Sequence, residues 1–256
     1  MSTPLDVLSR EPERQVSPLF VHAHPDDETL STGALLAWLI NRGVNCEILT
    51  CTRGERGEVV PGVLPANITP DDLANVRRRE LACALDVLGA RDHDFLGTPP
   101  ARAAGLPPRD YRDSGMRWVA EGQAGPADAD DPDSFTSASL NEAVADLMAL
   151  IERVQPTVLV SYDNLGSYGH PDHVRAHEIT REASRLSGVP MVEVASQPQA
   201  EGFEWFDLPE QREVLVEALR CYATQLIVHD DHLVHVGGQF QQLPLGVGLR
   251  RVTGVV

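Results

Sequence analysis

Apolar positions recur along this chain at two spacings, and their alternation outlines its elements. Residues 17–23 (SPLFVHA) are a short apolar run of strand character. From Glu28 to Asn41, Leu30, Ala34, Leu35, Trp38 and Leu39 fall at helical spacing, and Gly43 follows as a C-terminal glycine. Residues 44–50 predict a second strand, followed by a glycine-rich loop over 53–62. Residues 71–88 predict a long helix stopped by Gly89, and 91–96 a third strand. Such a strand–helix–strand–helix–strand series requires a parallel sheet with helices on its faces and right-handed crossovers.

The pattern breaks from Thr98 to Ser134, where Pro, Gly, Asp and Ala dominate. A loop of that length inside a compact domain is functional or disordered. Helical spacing resumes over 139–154, a buried strand follows at 157–162 (TVLVSY), and 163–169 is rich in turn residues. Residues 171–186 are helical and 190–195 form a further strand. The tail predicts a helix over 209–222 and a hairpin over 226–236. The expected fold is therefore α/β: a Rossmann-like, mostly parallel sheet with helices on both faces and a small C-terminal extension. All 256 residues are read as one domain, with a core at about 17–195 and the extension over 196–256.

Composition narrows the function classes. Hydrophobic content of 42% and charged content of 23% are globular values. The formal net charge is −17, and every basic side chain is arginine, a bias that codon usage explains. So acidic a surface repels nucleic acid and anionic lipid and favours a small, mainly neutral substrate. The first fifteen residues lack the apolar core of a signal peptide, and the longest apolar run, 34–40, falls well short of the roughly 20 residues needed to span a bilayer. Cys46, Cys51, Cys83 and Cys221 show no CxxC pairing and are expected to be reduced, buried thiols of a cytoplasmic protein. Assembly into a homo-oligomer is left open.

No GxGxxG follows the first strand, so the sheet is not expected to bind a dinucleotide. His24-Pro25-Asp26-Asp27-Glu28 stands there instead, and His170-Pro171-Asp172-His173 follows the strand at 157–162. Proline suits the first helical position, and the acids after it then fall in the first turn, where the helix dipole favours a carboxylate. Asp26, Asp27 and Asp172 are accordingly expected to be ionised at neutral pH. His24 and Asp27, three residues apart across a helix start, can turn to one point, with His173 arriving from the parallel element. Two imidazoles and one carboxylate with an open position make a hydrolytic zinc site, and Asp26 is the carboxylate left beside its water. The i, i+4 pair His173 and His177 competes, but it lacks the adjacent glutamate of such motifs, so His177 is read as structural. His22 is read as a core histidine, and His229, His232 and His235 as part of a polar hairpin.

These segments resemble those of the LmbE/PIG-L zinc deacetylases: AHPDDE at 23–28, Leu-Ser-x-Gly at 30–33 and GxYGHPDH at 166–173. The resemblance covers roughly residues 18–187. YRDSGM (111–116), TCTRGERGEV (50–59) and Ala-Thr-Gln (223–225) are further similar to the actinobacterial mycothiol-pathway deacetylases, which remove acetate from N-acetylglucosaminyl-inositol. The resemblance implies zinc, or iron in vivo, on His24, Asp27 and His173, and Asp26 as general base. It implies that Tyr168 and a protonated His170 stabilise the oxyanion, with Asp172 orienting His170, and that Arg77 and Asp113 hold sugar hydroxyls. Sister enzymes that cleave mycothiol conjugates typically carry a lysine after the first motif, and its absence here favours a deacetylase. The rivals are that amidase, an antibiotic-sugar deacetylase, and a non-catalytic sugar- or metal-binding module.

Overall fold

The computed structural model describes residues 2–9, 15–120, 123–127 and 131–252. A short helix, α1 (Pro4–Leu8), precedes β1 (Pro18–His22), α2 (Asp27–Ile40), β2 (Glu47–Thr50), α3 (Pro70–Leu88) and β3 (Asp92–Phe95). The middle of the chain supplies β4 (Met116–Ala120), β5 (Gln123–Pro126), α4 (Leu140–Val154), β6 (Val158–Tyr162), α5 (Pro171–Ser187) and β7 (Met191–Val194). The tail contains β8 (Glu204–Asp207), α6 (Arg212–Arg220), β9 (Leu226–Val228), β10 (His232–His235), β11 (Phe240–Gln242) and β12 (Gly246–Arg251).

Alternation along the strands explains the layering. Successive side chains of a strand point to opposite faces, so Phe20 of β1 joins one hydrophobic core while Leu19 and Val21 join the other. Likewise Val158 and Val160 of β6 lie in the first core and Leu159 in the second. Strands apolar on both sides must be covered on both sides. α2, α3 and α6 pack residues into the first core, and α4 and α5 into the second.

The main sheet has seven strands in the order β3-β2-β1-β6-β7-β12-β8. Its first five strands are parallel, while β12 runs antiparallel to both β7 and β8. From β1 the chain winds outward to β2 and β3, then returns to place β6 on the other flank of β1. The carboxyl ends of β1 and β6 thus border the switch point of the sheet, where open α/β sheets bind ligands. Both His-Pro-Asp segments leave the sheet there.

Three expectations are revised. The stretch 98–134 holds a hairpin, β4–β5, which the Pro- and Gly-rich composition concealed; of the acidic run 128–133, only 131–133 lie among the described residues. The tail adds β8 and β12 to the main sheet, so it completes the core instead of merely extending it. Cys46 and Cys51 are buried free thiols as expected, but Cys83 and Cys221 form a disulfide. Packing of α6 against α3 brings their Cα atoms within 5.8 Å, a span a disulfide bridges, and a separation of 138 residues hides the pairing from any spacing rule. A thiol assay on the denatured, unreduced protein is expected to find only Cys46 and Cys51, and Cys221→Ser to lose about 2–4 kcal/mol of stability. Four reactive thiols would refute the pairing.

Glu47 opens β2 in register with Asp92 of β3. Burial, and then Asp92 and Asp94, push its carboxyl up from 4.5 to about 7. A carboxyl raised in the folded state gives its full stability below its ordinary value and loses it as pH rises through 7. Chemical denaturation across that range should therefore show wild-type stability falling relative to Glu47→Gln. Parallel curves for the two proteins would show that this acidic edge carries no such linkage.

Candidate metal centre

The two motifs start their helices differently. At the second, His170 is the N-cap of α5 and Pro171 its first residue, as the sequence predicts, and Asp172 N–H donates to His170 Nδ1 at 3.1 Å. At the first, α2 begins only at Asp27, so Pro25 lies outside the helix. Asp26 is the N-cap at φ 132°, its carboxylate uncommitted to capping. That φ is in a region a β-carbon normally avoids, and it separates the directions of the two adjacent aspartates.

Asp27 folds back on His24: its Oδ2 accepts from the His24 backbone N–H at 2.8 Å and lies 3.1 Å from Nδ1. His173, in the first turn of α5, brings Nε2 to 3.2 Å from His24 Nδ1 and 3.3 Å from Asp27 Oδ1. Contacts of 3.1–3.3 Å therefore link the two imidazoles to each other and to the Asp27 carboxylate, His24 meeting Oδ2 and His173 meeting Oδ1. Ligand atoms on a tetrahedral ion with bonds of about 2.0–2.1 Å sit roughly 3.3 Å apart, so each of these contacts is of the size a divalent ion needs between its ligands. The facing nitrogens of His24 and His173 require a proton or a cation between them. Ring nitrogens of His24, His170 and His173 also fall within 4.8 Å of one another, as do ligand atoms of His24, Asp113, His170 and Asp172. The His24–Asp27–His173 set is the tighter one.

Around it, Asp172 Oδ2 lies 3.1 Å from His24 Nε2 and accepts Ser114 N–H at 2.9 Å. This corrects the expectation that Asp172 orients His170 with its side chain: the carboxylate orients His24, in the carboxylate–histidine arrangement that leaves the other ring nitrogen facing a metal. Only the backbone N–H of Asp172 reaches His170. Since His170 Nδ1 accepts there, its proton sits on Nε2. Burial, and then His24 and His173, hold the His170 pKa well below 6.5, which favours the neutral ring.

Carboxylates set the other charges. Burial opposes protonation of His24, but Asp113 and the bonds to Asp172 and Asp27 outweigh it and raise its pKa well above 6.5. Asp27 goes the other way: burial is overcome by His173 and His24, and its pKa falls well below 3.8. Asp26 is raised well above 3.8 by burial and then by Asp27, against the lowering expected of a helix start. Asp113, buried at the rim, comes within 3.8 Å of His24 Nε2, takes Gly115 N–H at 2.7 Å and donates its own N–H to Glu55.

Arg77 is buried, but its guanidinium is engaged by its own loop: Nη1 donates to the Gly54 carbonyl and Nη2 to that of Glu58 at 2.9 Å, leaving Nε unpartnered. It shapes the 54–58 loop and acts on Asp26 and Asp113 through charge. Tyr168 is 41% exposed, its ring centroid 5.3 Å from that of His173 and 6.0 Å from that of His170. The β4–β5 hairpin rests on it: Ala124 N–H donates to the Tyr168 carbonyl at 2.9 Å, and the exposed Trp118 ring sits 5.7 Å from the phenol ring. His177 donates from Nδ1 to the Tyr162 carbonyl at 2.9 Å, and His22 contacts Thr32 in the core, so both are structural as read from sequence.

Sequence reasoning missed Tyr162, which stacks on His173 at 4.4 Å and takes Ala23 N–H on its hydroxyl, and Ser114, which bonds Asp172. It also gave no role to Glu28, although Glu28 closes the first motif. A third acid directly after Asp26 and Asp27 was the signal available.

The family described as GlcNAc-PI de-N-acetylase (PIG-L) matches residues 19–184. A 1D-myo-inositol 2-acetamido-2-deoxy-alpha-D-glucopyranoside deacetylase of Kineococcus radiotolerans is 47% identical over 169 residues, which cover 66% of this chain and 45% of that protein. The chain spans about half the length of the first curated relatives it matches. A teicoplanin deacetylase solved in a zinc-inhibited form superposes with TM-score 0.55 at 25% identity, over 81% of this chain and 84% of the other. The 4-carboxy-2-hydroxymuconate hydratase GalB of Pseudomonas putida shares the fold with TM-score 0.61 at 20% identity, over 94% of this chain and 98% of the other. With the family match spanning both His-Pro-Asp segments and the two strands, β1 and β6, that lead into them, the chain belongs to the PIG-L family.

Proposed function

We propose that this chain is a metal-dependent amide hydrolase that removes the N-acetyl group from an N-acetylglucosamine-type glycoside, with a GlcNAc-inositol-like substrate. The observation that carries the reading is the convergence of His24 Nδ1 and His173 Nε2, 3.2 Å apart, on the two oxygens of Asp27 at 3.1 and 3.3 Å, beside a carboxylate, Asp26, that caps nothing. The relative's printed activity and its 47% identity support the substrate. A divalent cation held there, zinc or iron(II), supplies a Lewis acid for the acetyl carbonyl and acidifies a water.

The remaining roles belong to the chain. Asp26 accepts the water's proton and returns it to the departing amine. Tyr168 Oη–H and the Nε2–H of neutral His170 donate to the oxyanion of the tetrahedral intermediate, where donors placed in advance count most. Asp172 holds His24 in its ligating tautomer. Asp113, at the rim beside His24, takes substrate hydroxyls, while Arg77 fixes the adjoining loop. No helix among the described residues is long and apolar enough to cross a membrane, and a small amino sugar is the partner this reading requires. A cytoplasmic setting is part of the proposal, but the Cys83–Cys221 disulfide speaks against it, so the thiol count on those two residues tests it.

Released acetate from N-acetylglucosaminyl-inositol and N-acetylglucosamine, set against released amine from a mycothiol bimane conjugate, separates this reading from the amidase. The inositol glycoside should be turned over fastest. Tight metal binding with no hydrolysis of any of them would instead support a binding module.

Asp26→Asn is expected to lower kcat by about 10²–10⁴ while metal stoichiometry stays at the wild-type level. His173→Ala should lose the metal itself. Near-normal turnover in metal-loaded Asp26→Asn would rule Asp26 out as the base. Tyr168→Phe should lower kcat by roughly 10²–10³ with little change in KM; a KM effect alone would make Tyr168 a substrate contact.

A further inference from the structure

An outlying backbone such as that of Asp26 persists only where its surroundings hold it. Two side chains from the far end of the chain meet it. Glu28, fully buried on α2, accepts the Asp26 backbone N–H on Oε2 at 3.2 Å. Its other oxygen accepts from the hydroxyl of Tyr222, itself fully buried, and from Thr29. On the other side of the same peptide, Gln225 Nε2 donates to the Pro25 carbonyl at 2.7 Å. The Pro25–Asp26 peptide is thus gripped at its carbonyl by Gln225 and at its N–H, through Glu28, by Tyr222.

The turn that carries both side chains is itself anchored. Gln225 N–H donates to the Tyr222 carbonyl at 2.9 Å. Thr224 donates from its backbone N–H and its hydroxyl to the Glu80 carboxylate of α3, each at 2.7 Å. The Thr224 carbonyl accepts Val60 N–H at 2.9 Å, and Cys221 is tied to Cys83 on α3. Helix α3 also carries Arg77, which fixes the loop on the opposite flank of Asp26. Simple core filling would ask only for apolar contact from these positions. Here the polar atoms of Tyr222 and Gln225 are spent on one strained peptide beside the metal centre.

We propose that the Tyr222–Gln225 turn is a positioning element for Asp26. Tyr222, acting through Glu28, and Gln225, acting on the Pro25 carbonyl, hold the backbone that directs the Asp26 carboxylate toward the centre while Asp27 turns to the metal position. Both residues lie beyond the 19–184 span of the family match, so part of the catalytic geometry is set by chain outside it. The proposal rests on the reading of Asp26 as general base, and its test separates the two.

Tyr222→Phe keeps the ring and removes the hydroxyl; Gln225→Met keeps the length and removes the donor. In the full, metal-loaded chain each is expected to lower kcat for N-acetylglucosaminyl-inositol about 10–100-fold, with KM and metal stoichiometry unchanged. In the metal-free chain, hydrogen exchange in the segment 23–30 should become faster in both variants. A role in packing alone would lower the melting temperature without that kinetic split or that local exchange. Unchanged kcat, or unchanged exchange in 23–30, in whichever variants fold would overturn the proposal. Should the wild type hydrolyse no amide, exchange alone decides the positioning, and it is the assignment of Asp26 as base that fails.

Discussion

The contact between His24 Nε2 and Asp172 Oδ2 joins the two halves of the sheet at its switch point, and the rest of the centre depends on it. The imidazole leaves β1 and the carboxylate sits in the first turn of α5, behind β6. Both groups are buried, and a buried carboxylate without a partner is strongly destabilising. Pairing them fixes the His24 ring, which puts Nδ1 opposite His173 and Asp27. It also makes the centre short of positive charge. Asp26, Asp27, Asp113 and Asp172 surround it, and Arg77 is turned toward loop carbonyls. In the metal-free chain the deficit is met by protonation, which is why the His24 pKa rises despite burial. A divalent cation meets the same deficit while leaving both imidazoles neutral, so metal affinity and proton affinity compete for one place.

The sheet was largely legible because its strands obey one rule. Leu19, Phe20, Val21 and Val158, Leu159, Val160 are unbroken apolar runs, which only a strand covered on both faces can carry, and the helices between them show clear periodicity. The motifs were legible for a related reason: His, Pro and Asp together at strand ends have few structural explanations. What failed to show were features set by long-range contact. β12 and β8 are mixed in character, and they become strands because β7 offers an edge to β12 and β12 in turn offers one to β8. The Cys83–Cys221 pairing follows from how α6 packs on α3. The hairpin β4–β5 lies in a segment whose Pro and Gly content reads as loop, and its seat on Tyr168 is a tertiary contact.

Within the site, the sequence misled where one motif was used to interpret the other. HPD at 24–26 and HPD at 170–172 look alike, yet His170 caps its helix and Pro171 begins it, while Pro25 stands outside and Asp26 takes the cap position with positive φ. The difference has a physical origin. His24 must bring both its N–H and its ring back onto Asp27, which delays the helix by two residues. The two aspartates that follow then separate in role: Asp27 is bonded to both histidines, and Asp26 to neither.

Fold alone does not choose the reaction here, since a hydratase shares this architecture at TM-score 0.61. What chooses is the chemistry gathered at the switch point. A triad able to hold a metal, with a neighbouring carboxylate, could activate water, and that much would serve hydration as well as hydrolysis. An amide needs more: donors for an oxyanion and a proton for a poor leaving group. In the proposed function His170, with its Nε2 proton set by the Asp172 backbone, and Tyr168 would supply the first. Asp26, whose burial favours the protonated acid, would supply the second. The acidic field around these groups also bears on the substrate. A net charge of −17 and four carboxylates at the centre disfavour an anionic aglycone and suit a neutral polyol. Fold, site and field therefore restrict the reading in succession, and it is the site that supports the proposal of an amide hydrolase.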